Sequence, residues 1–98
     1  MKKAYLFIFG PPATRQSVKA VLDKIPEIIH WRYDMPNVFY IISENSARLI
    51  AESYRSRRTD TGRFLVAEIN GENKQGWLPN ETWYLLNKKE HKPASENP

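Results

Sequence analysis

Tyr5-Leu6-Phe7-Ile8-Phe9-Gly10-Pro11-Pro12 decides how this chain folds. Five apolar residues, three of them aromatic, run without a polar interruption until Gly10-Pro11-Pro12 stops them. A half-buried strand would alternate, whereas an unbroken run of this length reads as a central strand covered on both faces. The run follows Met1-Lys2-Lys3 and so has the look of a secretory opening, but it is shorter than the roughly 7 to 15 apolar residues of a signal core. It is therefore strand β1, Tyr5 to Phe9. No other run approaches the ~18 apolar residues of a membrane span, so the expected setting is cytoplasmic, with no membrane partner.

Outward from β1, Val18, Val21, Leu22 and Ile25 fall at i, i+3, i+4 and i+7 and make one apolar stripe. That is helix α1, beginning near Thr14 or Ser17 and stopping before Pro26. Ile28 to Tyr33 (β2) and Val38 to Ile42 (β3) are rich in β-formers and flank the turn Asp34-Met35-Pro36-Asn37. Asn45 is the expected cap of helix α2, whose face of Ala47, Ile50, Ala51 and Tyr54 runs on to Arg57 and Arg58. Thr59-Asp60-Thr61-Gly62 turns the chain into strand β4, Arg63 to Ile69. After a polar loop from Asn70 to Gly76, Asn80 is expected to cap a short helix α3 that carries Trp83, Tyr84, Leu85 and Leu86. Residues 1–87 form one domain, and residues 88–98 read as a mobile polar tail.

The order β-α-β-β-α-β is the split βαβ pattern of an α+β, ferredoxin-like sandwich with antiparallel sheet order 4-1-3-2 and both main helices on one face. β1 and β3, the most apolar strands, are central in that order. A length of 98 residues suits one such domain, and 41% hydrophobic, 27% charged and 12% aromatic residues are ordinary for a globular protein.

Chemistry is thin. The chain has no cysteine, which excludes disulfides and thiolate nucleophiles. Gly10-Pro11-Pro12-Ala13-Thr14-Arg15 lies where phosphate loops lie, but its prolines donate no amide hydrogen. His30 and His91 fall on separate elements, so a two-histidine metal site is not expected. Asp23, Asp34, Asp60 and Glu68 also lie apart, and Asp34 reads as a turn residue held by local backbone bonds. The reading therefore assigns no catalytic, cofactor-binding or metal residue, and no cofactor.

With two helices on one sheet face, the other face decides the partner. If Leu6 and Ile8 face the helices, Tyr5, Phe7 and Phe9 face away, and placing Glu68 outward takes Phe64 and Val66 to the same open face, a patch too apolar for a small monomer. The candidate covers are the C-terminal segment of Trp77, Trp83 and Leu86, a homodimer partner, and stacked bases; self-coverage and the homodimer need no special chemistry. For base stacking, Phe7 with Phe39 or Tyr40 would serve, but β3 lacks the alternating Gly-aromatic run of RNA-recognition modules. Arg55, Arg57, Arg58 and Arg63 are the densest basic cluster and the candidate phosphate contacts. The net charge of +4 agrees with weak nucleic-acid binding without requiring it.

Gly62-Arg63-Phe64-Leu65-Val66-Ala67-Glu68-Ile69, followed by Gln75-Gly76-Trp77-Leu78, resembles the small ferredoxin-like CRISPR adaptation proteins and their stand-alone SinR-like relatives. The resemblance spans roughly residues 4 to 86. It implies a homodimer with sheets packed face to face and the segment after β4 crossing to the partner. The metal-dependent nucleases of that family carry an aspartate at the end of β1, where this chain has Phe9 and Gly10, so nuclease activity is not implied. The expected function is a small non-catalytic homodimeric interaction or regulatory module, with weak nucleic-acid binding as the alternative and metal-dependent cleavage behind both.

Overall fold

A computed structural model describes residues 1–93. Its elements are β1 (Lys3–Phe9), α1 (Arg15–Leu22), β2 (Ile28–Met35), β3 (Val38–Ser43), α2 (Ala47–Arg57), β4 (Phe64–Ile69) and α3 (Asn80–Lys88). The four strands form one antiparallel sheet in the order β2-β3-β1-β4, which is 4-1-3-2 counted from the opposite edge. β1 and β3 are the inner strands, as their unbroken apolar runs imply.

Local chemistry sets the boundaries. Thr14 caps α1 by accepting from the Ser17 amide at 3.1 Å, and Ser17 returns the bond to the Thr14 amide at 2.9 Å, a reciprocal capping box. α2 is capped by Ser46, which accepts from the Leu49 amide, and not by Asn45. Asn45 is held otherwise: its amide donates to Ser43 Oγ, and its carbonyl accepts the Tyr5 hydroxyl. Asn80 is likewise the first residue of α3 and not its cap; Pro79 holds the cap position with no side-chain bond. The β2–β3 connection is tighter than expected, because β2 runs through Asp34 to Met35 and leaves only Pro36 and Asn37 in the turn.

The two sheet faces are the reverse of the expected assignment. Tyr5, Phe7 and Phe9 point at α1 and α2, where they pack with Val18, Leu22, Phe39, Ile41, Ile50 and Tyr54; Phe64 and Val66 border the same core. Phe7 is 0% exposed, its ring 4.7 Å from Tyr54 edge-on and 5.5 Å from Phe64 in a stack. These aromatic side chains fill the layer between the sheet and the two helices at close-packed density. Glu68 misleads because β4 is an edge strand. Its register partner is Tyr5, so Glu68 belongs to the helix-side row, yet it remains exposed at the sheet margin. Its charge raises the Tyr5 hydroxyl pKa, second to burial as a cause.

The opposite face is covered by the chain itself. Ala4, Tyr40 and Ile42 pack against Leu85 and Leu86 of α3, with Leu6, Val38, Ile69, Leu78 and Trp83 around them. β1 is thus sandwiched, as an unbroken apolar run requires. α3 runs past the boundary expected at residue 87, since Lys88 is still helical and Lys89 closes α3 in the left-handed conformation at φ 61°. Glu90 then reaches Lys2 at 3.5 Å; residues 94–98 lie outside the described residues.

Candidate functional site

α3 covers only part of its sheet face. Beyond it, Ile8 (39% exposed), Met35 (40%) and Leu65 (56%) stand in a bare apolar strip, and Trp77 is 99% exposed. Ile8 and Leu65 are register partners across β1 and β4, so the strip is continuous at the β4 edge. Beside it, the segment after β4 and α3 enclose an open groove of about 700 Å3. Leu6, Ile69, Leu78, Trp83 and Leu86 supply its apolar lining, while Asn70, Asn73, Lys74 and Gln75 supply amide and ammonium groups. Sequence reading named Trp77, Trp83 and Leu86 as one covering segment; the structure divides them. Leu86 is buried and Trp83 half-buried, but Trp77 covers nothing.

A polar network fixes α3 in place. The Tyr40 hydroxyl donates to Asp34 Oδ1 at 3.0 Å, the Thr82 hydroxyl donates to Asp34 Oδ2, and Arg32 Nε donates to Thr82 Oγ1 at 2.7 Å. Burial, followed by the bond to Asp34, pushes the Tyr40 hydroxyl pKa above the ordinary phenol range. Asp34 is therefore not held by turn backbone; it bridges β3 to α3. Thr82→Val keeps the shape but leaves a carboxylate oxygen and Arg32 Nε without this partner, at a cost of about 1–3 kcal/mol. The midpoint of thermal unfolding should fall by roughly 4–8 °C per kcal/mol, and Thr82→Ser should recover most of it.

The four arginines do not act together. Arg58 is mostly buried: it donates to the Gly62 carbonyl, lies 3.6 Å from Asp60 and stacks 5.0 Å over the Phe64 ring. It is a structural clasp for the turn into β4 and is withdrawn from the phosphate contacts. Arg57 donates to the Ser53 carbonyl at 3.3 Å and remains exposed, as do Arg55 and Arg63. In the loop after β1, the amides of Gly10, Ala13 and Thr14 are bonded to the Arg63 carbonyl, the Gly10 carbonyl and Ser17 Oγ. Arg15 lies 4.3 Å over the Tyr33 ring.

Sequence reading missed one pair. His30 and His91, 61 positions apart, lie with ring centroids 4.7 Å apart, edge to face. Among the described residues, no three His, Asp or Glu side chains converge as metal ligands would, and no helix is long and apolar enough to cross a membrane. No family model, curated protein or solved structure matches the chain.

Proposed function

We propose that this chain is a small non-catalytic interaction module with the ferredoxin-like arrangement, working as a homodimer. The two copies join across the bare strip of Ile8, Met35 and Leu65, with Trp77 of each seated against the other. The observation that carries this reading is Trp77, 99% exposed beside a largely apolar groove. A tryptophan buries about 150–250 Å2 when it finds a partner, and none of that burial is realised within one chain. Two-fold pairing makes each contact twice, so one exposed indole per chain supplies two anchors.

The likeness of Gly62 to Ile69 and Gln75 to Leu78 to the small CRISPR adaptation proteins and SinR-like relatives supports a homodimer in which the segment after β4 reaches the partner, although α3 here stands where a face-to-face sheet contact would lie. The interface does not use Tyr5, Phe7, Phe9, Phe64 and Val66, which belong to the helix-side core. Leu65→Glu places a charge in the strip without touching that core. It should leave the far-ultraviolet dichroism intact and halve the mass measured in solution, whereas an unchanged dimer mass would place the interface elsewhere.

Exposed Arg55, Arg57 and Arg63 support a second reading, weak and sequence-independent binding of nucleic acid through phosphates. Three phosphate contacts imply a slope of log affinity on log salt no steeper than about −3. Replacing all three arginines by alanine should abolish the binding. Base stacking on Phe7 is not part of this reading, because that ring is buried beneath the helices.

A further inference from the structure

We propose that His30 and His91 form a proton-operated latch, which holds residues 90–92, just after α3, against edge strand β2 in neutral solution and releases them in mild acid. His30 projects from β2 on the face that α3 covers, since its register partner is Ile42 and Ile42 packs under α3. His91 follows α3 by three residues and sets its ring 4.7 Å from that of His30. The segment is held at a second point, where Glu90 meets Lys2 at 3.5 Å.

Among the described residues, the charged and titratable groups facing His30 are His91 and Glu90 from the segment and Lys2 from the residues just before β1. Arg32, two residues along β2, is committed to Thr82. A neutral His30 ring packs edge to face with the His91 ring at little cost, but an imidazolium at His30 would stand beside the Lys2 ammonium, with Glu90 the one anion against it among the described residues. Burial first, then His91 and Lys2, lower the His30 pKa; Glu90 raises it by less. The docked form consequently binds the His30 proton less well than the released form. Docking is at full strength above the ordinary imidazole pKa and is lost as pH falls through the lowered value. A metal ion suits the site poorly, because among the described residues no third ligand converges and Lys2 brings positive charge.

Protein NMR on the full chain tests the latch. At about pH 7.5, ring protons of His30 and His91 should show a mutual nuclear Overhauser contact, and residues 90–92 should be as ordered as α3. As pH falls through the titration of His30, followed by its own ring-proton shifts, the contact should vanish and those residues should gain motion, while the Leu85 and Leu86 amides keep their protection. His30→Gln and His91→Gln should each leave the order of the segment the same across that pH range. The proposal is overturned if the contact is absent at pH 7.5, if it persists once His30 is protonated, or if release survives in both glutamine variants.

Discussion

Trp77→Ala should weaken self-association by nearly a thousandfold while leaving the monomer as stable as before. An indole seated at an interface centre is worth at least about 2 kcal/mol, which is roughly 30-fold, and two-fold symmetry counts it twice. Within its own chain Trp77 is 99% exposed, so its removal opens no cavity. These two facts pull the readouts apart: sedimentation should show the loss of association, and thermal unfolding of the isolated monomer should show nothing. Trp83→Ala provides the contrast. Trp83 packs on the Ala4, Tyr40 and Ile42 core, so its loss should lower monomer stability as well.

Phe7→Ala should be the most destabilising single change in the helix-side core. Phe7 is fully buried, and its ring meets Phe9, Tyr54 and Phe64. Truncating a buried phenylalanine costs about 3–5 kcal/mol, because the lost transfer energy is joined by a cavity that rigid neighbours do not close. That is a large share of the ~5–15 kcal/mol that holds a typical domain together. Ile8→Ala, one residue along the same strand and facing the other way, should cost about 1 kcal/mol or less in the monomer, since Ile8 is already 39% exposed. Urea unfolding of the two variants checks which face of β1 is core. Equal losses, or a larger loss for Ile8, would reverse the faces.

The central position of β1 was legible because an unbroken apolar run needs cover on both sides, and the sheet with α3 on its second face provides it. The orientation of that strand was not legible. An unbroken run carries no alternation, so nothing within Tyr5 to Phe9 tells which side chains face α1 and α2; on β4 Glu68 points the wrong way, because at a sheet edge a carboxylate can sit in the core-facing row and still reach water. Helix starts were readable to within a residue, for a similar reason. Asn45 and Ser46 are both good caps and adjacent in sequence; the structure uses Ser46, while the Asn45 carbonyl accepts the Tyr5 hydroxyl from across the fold.

The polar contacts that position α3 were beyond reach. Asp34 and Thr82 are 48 residues apart, and nothing local to Asp34-Met35-Pro36-Asn37 tells that the carboxylate serves a helix. The arginine cluster was visible as a composition, but Arg58 left it once Asp60 and Gly62 were placed beside it. Trp77 was visible as part of a covering segment. Its exposure became apparent only when α3 met the sheet through Leu85 and Leu86 and left the indole outside.

Light scattering from the unaltered chain across the micromolar range tests the homodimer most directly. The account expects a mass twice the 11.5 kDa of one chain, falling toward one chain on dilution, and held at one chain in Leu65→Glu and Trp77→Ala. A mass that stays at 11.5 kDa at the highest concentration would contradict it, because the bare strip and Trp77 would then have no second copy to cover them.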